Sequence, residues 1–457
     1  MLELRANCLS THFRGAKLPD TAATLAETRC DVLVVGGGPA GSTIAALLTE
    51  RGHHVVLVEK EKHPRFHIGE SLLPLNLPLL ERLGVLEEVA GIGMLKYGAE
   101  FISPDHEKTV TFDFANAWDK SHPYAYQVRR SVFDHILLKN AAAKGTTVIE
   151  ECRVTEVEFP PGGGALARGQ DKQGQPYIWR AKFLVDASGR DTLLANRFGI
   201  KHRSRQHNSA AMFGHFAGAE RLPGKEEGNI SIFWFRHGWF WFIPLSDGTT
   251  SVGAVCWPHY LKSRKTDPTT FFMETIALCP AIATRLKNAR LTASVTGTGN
   301  YSYRAERMTG SHYIMVGDAF AFIDPVFSTG VYLAMSSAFR GADAVDTCLR
   351  QPDKAAQALK RFDAEVRRGI STFSWYIYRF TTPALRELFM GPRNYLRMEE
   401  ALLSLLAGDV FRPSPIHWRL VAFKVIYWLN NLPNIKESIA AWRTRKRAVH
   451  TPAGEAT

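Results

Sequence analysis

The stretch at residues 31–59, DVLVVGGGPAGSTIAALLTERGHHVVLVE, decides the fold and carries the first functional signal. Its start, residues 32–35, has the continuous apolar composition of a buried parallel strand, and a turn with GxGxxG spacing follows. Gly36 permits the tight turn, Gly38 allows a pyrophosphate to approach the backbone, and Gly41 lets the next helix pack on the strand. The stretch therefore predicts a strand–turn–helix–strand unit that binds a dinucleotide.

An acidic residue completes this unit. A second apolar strand ends at Glu59, about 20 residues after the turn, where a carboxylate can accept hydrogen bonds from a ribose diol. The helix that begins near Ala40 offers backbone N–H groups and the positive end of its dipole to phosphates. A GxGxxG turn alone is weak evidence, since many such turns are ordinary loops. The strand, helix, second strand and acid in register favour the dinucleotide interpretation.

Size and composition indicate a folded globular protein. The chain has 457 residues, of which 45% are hydrophobic, enough for two or three packed units with a sizeable core. No apolar run reaches the ~18–20 residues that span a bilayer. Residues 1–30 contain no apolar core followed by a small-residue cleavage site, so the expected location is the cytoplasm.

Cysteine usage and charge narrow the class of protein further. The six cysteines are scattered without a CxxC pair or nearby histidine pairs, so neither a disulfide framework nor a metal site is expected. The formal charge of +12 is compatible with nucleic acid, anionic lipid or an acidic protein partner. No nucleic-acid motif accompanies it, and a solvated basic tail at residues 443–447 is the simpler explanation. An acidic partner stays open.

The order of elements along the chain predicts an α/β fold. Residues 1–30 form an N-terminal extension that we expect to be flexible, and residues 31–345 form a Rossmann-like dinucleotide-binding domain. An antiparallel sheet, rich in aromatic and β-branched residues, is inserted at about 205–295. Residues 346–457 form a helical C-terminal cap. The sequence also predicts helices over residues 75–90, from Arg130 through Ala143, and from about Val331 to Leu349.

A second strand–turn–helix occurs late in the chain, with Asp318 in the turn VGDA. This turn indicates which dinucleotide is bound, because it is shared with a known family. Together with GGGPAG it resembles the FAD-dependent monooxygenase superfamily, which includes the aromatic hydroxylases. The resemblance implies that the glycines and Glu59 hold the ADP half of FAD, that Asp318 holds the ribityl and pyrophosphate part, and that Arg130 in VRRSVFDHILL lies beside the flavin. A second GxGxxG unit for permanently bound NAD(P)H does not occur.

Three further stretches resemble the flavin-dependent halogenases, enzymes of secondary metabolism. Residues 239–244, WFWFIP, match the WxWxIP pattern, in which Trp239 and Trp241 separate the flavin from the substrate. Paired tryptophans on a strand are also common in an ordinary core. Residues 69–74, GESLLP, match the flavin-covering loop of the phenol and pyrrole halogenases, with Ser71 as a cofactor contact. Lys96 in MLKYGAEF stands where these enzymes carry their catalytic lysine.

The third stretch, residues 324–330 (DPVFSTG), opens a helix whose N-terminal N–H groups suit an anion. Thr329 and Gly330 match the halide-binding positions of the family. Tryptophan halogenases carry a glutamate where this chain has Phe327, so we expect an activated phenol or pyrrole rather than a free indole amino acid. Phe327 is assigned with the tryptophans to the partition between flavin and substrate.

The resemblance also implies a mechanism. A separate flavin reductase supplies FADH2, and chloride or bromide is oxidised with O2 to hypohalous acid. Lys96 then delivers an electrophilic halogen to an aromatic substrate, either free or tethered to an acyl or peptidyl carrier protein. Burial would lower the pKa of this lysine and favour the neutral, nucleophilic amine. The general base stays open among His53, His67 and Glu70.

Two other functions remain as alternatives. A FAD-dependent aromatic hydroxylase would reduce its own flavin with NAD(P)H and would hold its substrate against the ring. A flavin-dependent reductase of lipids at a membrane surface is favoured only by the basic, aromatic C-terminal region. There, residues 416–429 (IHWRLVAFKVIYWL) predict a helix docked on the core with Arg419 and Lys424 in solvent, so membrane contact is not expected.

Overall fold

The computed structural model describes residues 27–104, 108–204, 209–299, 302–391 and 394–431. The predictions for residues 1–26 and for the basic run at 443–447 therefore lie outside the described residues. The first strand begins at Glu27, so the folded domain starts before the predicted boundary at Asp31.

The described residues form strands and helices in alternation, with a helical C-terminal part. The strands are β1 (Glu27–Val35), β2 (Val55–Val58), β3 (Met94–Lys96), β4 (Gly98–Ser103), β5 (Lys108–Asp113), β6 (Ala125–Gln127), β7 (Thr147–Ile149), β8 (Cys152–Glu158), β9 (Ala165–Asp171), β10 (Pro176–Asp186), β11 (Lys201–Arg203), β12 (Ala210–Ala217), β13 (Ile230–Phe235), β14 (Gly238–Pro244), β15 (Thr249–Cys256), β16 (Arg290–Leu291), β17 (Thr296–Thr298), β18 (Tyr303–Ala305), β19 (Thr309–Gly310), β20 (Tyr313–Met315) and β21 (Ala321–Phe322). The helices are α1 (Pro39–Glu50), α2 (Leu77–Leu83), α3 (Leu86–Ile92), α4 (Arg130–Ala143), α5 (Leu193–Arg197), α6 (Pro258–Lys262), α7 (Pro268–Ala277), α8 (Pro280–Arg285), α9 (Thr329–Arg350), α10 (Ala355–Ile377), α11 (Pro383–Met390), α12 (Met398–Ala407) and α13 (Ile416–Asn431).

The first sheet has a parallel core with β1 near its centre. Its strand order is β19-β20-β10-β1-β2-β7, and β1 pairs in parallel with both β10 and β2. Residues 32–34 of β1 are fully buried, as expected of a strand covered on both faces. α1, which directly follows the glycine turn, packs on both α4 and α9.

The second sheet is larger than the predicted insertion. Its order is β16-β12-β15-β14-β13-β4-β5, with β17 beside β12. β4 and β5 precede the predicted range of about 205–295 by a hundred residues, and β4 pairs in parallel with β13, which brings Ala99 opposite Ile230. This extension was missed because a pairing between such distant segments leaves no local pattern.

The C-terminal helices differ from the predicted domain boundary. That boundary, between residues 345 and 346, falls inside α9, which runs through to Arg350 and packs on both α1 and α10. α9 also begins two residues before the predicted start at Val331. A single helix expected over residues 75–90 is divided into α2 and α3, because Gly84 ends α2 with a φ of +80°.

The architecture is α/β, with a Rossmann-like parallel sheet, an inserted sheet and C-terminal helices, which confirms the predicted fold class. In the part of the chain that the structure describes, no group of histidine, cysteine or acidic side chains is arranged to hold a metal ion. Among the same residues, no helix combines the length and the apolar composition needed to cross a bilayer.

Candidate active site

The turn between β1 and α1 is shaped by two glycines. Gly36 has a φ of +105°, a conformation that favours glycine. A Cβ atom on Gly41 would lie 1.8 Å from the carbonyl oxygen of Gly36, so no other residue fits where α1 meets the turn. Gly38 precedes the first turn of α1 and lines a cavity together with Ala40. The N–H groups at the start of α1 are therefore available to an anionic ligand in this cavity.

Glu59 follows β2 and lies at the same cavity. Its Oε2 accepts a hydrogen bond of 2.6 Å from the Gly37 N–H, and its Oε1 accepts one of 2.9 Å from the Glu61 N–H. These bonds hold the carboxylate in one orientation while the remaining lone pairs face the cavity. The position matches that expected for a ribose-binding acid.

The cavity has a volume of about 740 Å³ and extends from the start of α1 to the start of α9. Ten of the residues predicted from sequence line it: Gly36, Gly38, Ala40, Glu59, Ser71, Arg130, Trp239, Trp241, Asp318 and Gly330. Four do not contribute to its wall as the described residues form it: Gly41, Lys96, Phe327 and Thr329. Most of the residues predicted from sequence therefore lie around one cavity, and their roles there stay predictions.

Arg130, at the start of α4, holds the loop that lies between β2 and α2. Its guanidinium binds both carboxylate oxygens of Asp134, at 2.7 and 3.0 Å, and donates to the Ile68 carbonyl at 2.8 Å. Burial by itself raises the pKa of the Asp134 carboxyl, but the Arg130 guanidinium outweighs it and the pKa is lowered. Arg130 is therefore a fixed cation at the cavity wall.

Asp318 also lines the cavity, in the short 3₁₀ turn Gly317–Ala319. Desolvation raises the pKa of its carboxyl to about 6, although the nearby Arg190 and Arg130 guanidinium groups act in the other direction. Its backbone carbonyl accepts a hydrogen bond of 2.9 Å from the Tyr303 hydroxyl. The side chain is thus available to a hydroxyl-bearing ligand.

The N-terminus of α9 also points to this cavity. Ser328 caps the 22-residue helix in the left-handed region, with a φ of +55°. Thr329 is buried at 2% exposure, whereas Ser328 and Gly330 line the cavity. The first N–H groups of so long a helix, together with its dipole, favour a bound anion.

Lys96 lies at the end of β3 and is 2% exposed. Its ammonium donates to the Ser71 hydroxyl oxygen at 2.9 Å and to the Leu72 carbonyl at 3.1 Å. Its Nζ lies 5.2 Å from the centre of the Phe114 ring. Burial lowers the pKa of Lys96 to about 7, and no charged neighbour among the described residues offsets this effect. Ser71 thus stands between the lysine and the cavity.

Strand β6 explains why Lys96 and Ser71 meet. β6 pairs antiparallel with β3, which places Lys96 opposite Ala125. On its other side the same strand holds the covering loop: the Val128 N–H donates to the Glu70 carbonyl at 2.7 Å, and the Leu72 N–H donates to the Tyr126 carbonyl at 3.0 Å. One short strand therefore sets the distance between the two segments.

The two tryptophans of β14 have the predicted common face. Trp239 and Trp241 are 3% and 4% exposed, their ring centres are 6.1 Å apart, and both line the cavity. Phe327 does not join them. Its ring packs against Phe380 and Phe389, at centre distances of 5.5 and 6.0 Å, so it belongs to an aromatic cluster with the C-terminal helices.

The structure also brings in Arg65 and Arg190, which were not assigned from sequence, and it places His67, one of the three candidate bases, at the same cavity. Burial, followed by the Arg130 charge, lowers the pKa of His67 to about 4, so its ring is neutral near pH 7. Arg65 and His67 belong to the polar loop after β2, and Arg190 follows the small-residue turn after β10. Their position in the sequence could have indicated this, because ligands of parallel sheets bind at the loops and turns that directly follow the strands.

Another unassigned contact involves a candidate base. Glu70 Oε1 lies 2.9 Å from His215 Nε2, and Glu70 Oε2 is buried without a hydrogen-bond partner among the described residues. Glu70 and His67 line the cavity, whereas His53 binds Asp346 at 2.6 Å beyond the end of α1. The geometry therefore leaves two of the three candidate bases at the site.

These residues fit FAD. The glycine cradle, the oriented Glu59 carboxylate and the free start of α1 are the donor and acceptor set for an ADP group. Arg130 and Asp318 also line the cavity, and the Arg130 charge acts on the Asp318 carboxyl, so both are available to the flavin half of the cofactor. The volume is in the range of about 300–1,000 Å³ typical of cofactor sites.

Comparisons with known proteins agree with this geometry. A family model described as FAD binding domain matches residues 29–367. The solved structure of the myxobacterial chondrochloren halogenase CndH, an FAD-dependent halogenase, is 32% identical, with a TM-score of 0.74 over 88% of this chain and 97% of that one.

Two curated relatives carry more specific names. The 1H-pyrrole-2-carbonyl-[peptidyl-carrier protein] chlorinase of Pseudomonas fluorescens is 28% identical over 83% of this chain and 89% of the relative. The tryptophan 2-halogenase of Chondromyces crocatus is 36% identical over 70% of this chain and 61% of the relative. The chain is an oxidoreductase that uses FAD and halide, and it belongs to the flavin-dependent halogenases.

Proposed function

We propose that this enzyme halogenates an activated phenol or pyrrole and that Lys96 delivers the halogen. The single observation that carries the proposal is the buried Lys96, which donates a hydrogen bond to Ser71 of the cavity wall. Its burial lowers its pKa to about 7. Bound FAD would supply the oxidation of halide with O2.

The residues that hold FAD follow from the site. The glycine turn and α1 would bind the pyrophosphate, Glu59 the ribose, and Asp318 the ribityl chain. Arg130 fixes the covering loop through the Ile68 carbonyl and presents a positive charge to the flavin. Together these residues would hold FAD in the cavity that extends from the start of α1 to the start of α9.

A halide ion would bind at the start of α9. Gly330 faces the cavity and Thr329 is buried next to it, so backbone N–H groups and the helix dipole stabilise an anion there. The dipole at the same end of α9 would also favour negative charge on a flavin bound in this cavity.

Lys96 would act as the carrier of electrophilic halogen. Its pKa of about 7 leaves a large neutral fraction at physiological pH, and a neutral amine has the lone pair needed to attack hypohalous acid. In that step an N–halogen bond forms, the halogen–oxygen bond breaks, and the departing hydroxide takes a proton from the amine to leave as water. Ser71 accepts the hydrogen bond that aims the amine.

The two tryptophans support a mechanism in which the halogen moves through the protein to the substrate, rather than one in which the substrate contacts the flavin ring. Trp239 and Trp241 line the cavity with their bulky indoles, whereas Lys96 lies outside the wall beside Phe114. A substrate near the lysine is thereby separated from the flavin. This arrangement disfavours direct oxygenation, the reaction of an aromatic hydroxylase.

The substrate class rests on residue identity at the start of α9. Phe327 stands where the resemblance places a glutamate in tryptophan halogenases, and it is packed in an aromatic cluster. One relative is a tryptophan halogenase, so substrate assays need to include the free amino acid. The carrier-protein chlorinase among the relatives and the +12 charge support a carrier-tethered substrate. A reductase that supplies FADH2 and a cytoplasmic location remain predictions.

A defined assay tests the chemistry. The enzyme is incubated with FAD, a flavin reductase, NADH, bromide or chloride, and a panel of phenols, pyrroles and tryptophan, and product masses are read. A halogen isotope pattern is expected. A mass gain of one oxygen instead identifies a hydroxylase. For a tethered substrate, turnover should fall with rising salt, whereas turnover of a free phenol should not.

Substitution of the lysine tests its role. Lys96→Ala and the longer, uncharged Lys96→Met should retain FAD binding and FADH2 oxidation while halogenation falls by at least about 100-fold. Leu95→Ala is the matched control, because Leu95 is the neighbouring residue and is 42% exposed. Normal halogenation by Lys96→Met would remove the lysine from the mechanism.

A further inference from the structure

Helix α13 has apolar side chains on two opposite faces. One face packs on the core through Ile416, Leu420, Phe423 and Tyr427, each less than 8% exposed. The other face is in solvent: Trp418, Val421, Val425, Trp428 and Leu429 are 50–57% exposed. At about 100° per residue, these five exposed positions fall within one arc of about 100°, opposite the buried arc. α13 therefore docks on the protein with only one of its two apolar faces.

Neighbouring residues extend this exposed face. Tyr395 and Leu396, just before α12, are 66% and 62% exposed. Arg419 joins them to α13, because its Nε donates to the Leu396 carbonyl at 2.9 Å. We call the seven side chains the α13 ridge: Tyr395, Leu396, Trp418, Val421, Val425, Trp428 and Leu429. A contiguous apolar surface of this kind on a folded chain marks an interaction site.

Cations border the α13 ridge at both ends. The Arg419 guanidinium lies 4.2 Å from the centre of the Trp418 ring, and the Arg379 guanidinium lies 5.5 Å from that of Trp428. Lys424, on the flank, lies over the Trp375 ring at 5.2 Å, and its burial lowers its pKa. α13 itself contains no acidic residue. The ridge thus combines apolar area with a positive border.

We propose that the α13 ridge binds the surface of an anionic lipid bilayer, with α13 parallel to the membrane plane. An interfacial helix buries its apolar face about 5–10 Å into the headgroup region while cations contact anionic headgroups. Tryptophan is enriched at this depth. The formal charge of +12 acts in the same direction. This reverses the expectation from sequence that the helix avoids membranes.

A lipid surface suits the ridge better than a protein partner does. Protein interfaces form about one hydrogen bond per 100–200 Å². Of the seven ridge side chains, only Tyr395, Trp418 and Trp428 carry a hydrogen-bonding group, since the others are valine and leucine. A bilayer requires no directional partner. No side chain of α13 that the structure describes lines the cofactor cavity, so the proposal is independent of the halogenation mechanism.

Vesicle binding tests the proposal with the full-length FAD-bound enzyme. The protein is sedimented with large vesicles of phosphatidylcholine alone or with about 30% phosphatidylserine. We expect binding to the anionic vesicles that weakens with added salt. The double variant Trp418→Ser, Trp428→Ser should lower the vesicle partition coefficient by about tenfold or more. Brominated lipids should quench the tryptophan emission of the wild type more strongly than that of the variant.

A matched variant controls for loss of exposed apolar surface. Met273 and Leu278, at α7, are 43% and 54% exposed and lie far along the chain from α13. Met273→Ser with Leu278→Ser should bind vesicles as the wild type does. Melting temperatures and FADH2 oxidation of both double variants should match the wild type, which shows that they are folded.

Three results would overturn the proposal. The first is no sedimentation with anionic vesicles at low salt. The second is equal sedimentation of the wild type and the Trp418→Ser, Trp428→Ser variant. The third is a dimer in analytical ultracentrifugation that the variant converts to a monomer, since the ridge would then join two copies of the chain.

Discussion

Lys96 shows how burial alone can prepare a side chain for chemistry. An exposed lysine is almost fully charged at pH 7, whereas Lys96 is 2% exposed and its pKa is lowered to about 7. Its two hydrogen bonds go to a hydroxyl and a carbonyl rather than to a carboxylate. Charge compensation is therefore weak, and the neutral form is accessible at physiological pH.

The lowered pKa gives a prediction for pH. The unfolded lysine titrates near 10.5, so between about pH 7 and 10 the unfolded chain binds more protons than the folded one. The contribution of Lys96 to stability should therefore rise with pH in this window, by at most about 1.4 kcal/mol per unit. The free energy of unfolding is measured for the wild type and for Lys96→Met at pH 7, 8 and 9, and the difference between the two should rise with this slope. The control Lys287→Met, which replaces an exposed lysine, should show no such pH-dependent difference from the wild type.

Halogenation should follow the same titration. If the neutral amine carries the halogen, the rate rises as pH passes through about 7 and then levels off. The rate of FADH2 oxidation, measured in parallel, separates this effect from titration of the flavin. A flat ratio of halogenation to FADH2 oxidation between pH 6 and 8 would contradict the neutral-amine role.

The pairing of β14 with β15 shapes the cavity wall at the level of elements. Trp241 lies opposite Gly253 in the ladder, and its Nε1 donates to Ser251 at 3.2 Å, so the indole lies across β15. A Cβ atom on Gly253 would come within 2.2 Å of Trp241 Cζ2. Glycine at this strand position permits the close approach of the ring.

Gly253→Ala should displace the Trp241 indole toward the cavity. We expect FAD affinity to fall about tenfold and the free energy of unfolding to fall by about 1–3 kcal/mol, as for an overpacked core. Flavin fluorescence titration and thermal melting measure the two effects. Gly297→Ala, in β17 of the same sheet, is the control because a Cβ there meets open space. Unchanged FAD affinity in Gly253→Ala would show that the ring does not set the cavity wall.

At the scale of the whole molecule, an aromatic cluster joins the inserted sheet to the C-terminal helices. Phe389 of α11 packs on Phe101 at a centre distance of 5.5 Å and on Phe112 at 5.8 Å. Phe380 stacks on Trp234 at 4.6 Å, and Phe327 brings the start of α9 into the same cluster. The cap is therefore mechanically connected to the start of α9, where we propose that halide binds.

Phe389→Ala should weaken this connection. Loss of the buried ring should reduce the free energy of unfolding by about 3–5 kcal/mol. Halogenation per FADH2 oxidised should also fall, because the start of α9 loses a packing partner. Phe272→Ala, in the separate core beneath the inserted sheet, is the control: Phe272 is equally buried and should cost similar stability without changing that ratio. Equal ratios in the two variants would contradict the coupling.

Local pattern predicted those parts of the molecule whose cause is local. The bounds of α4 at Arg130–Ala143 agree with the predicted helix, since its apolar spacing and its ends are encoded in adjacent residues. The pairing of β4 with β13 and the contact of His215 with Glu70 were missed. Each depends on segments that meet only after the chain has folded.

The sequence by itself determined the strand–turn–helix–strand unit and the family, because the spacing of Gly36, Gly41 and Glu59 encodes a tight turn, a close helix contact and a carboxylate beside that turn. Only the tertiary structure decided that Lys96 is buried against Ser71, that Phe327 leaves the cavity wall, and that α13 exposes a second apolar face. Burial and contact depend on what packs around a residue, and that surrounding is assembled from distant parts of the chain.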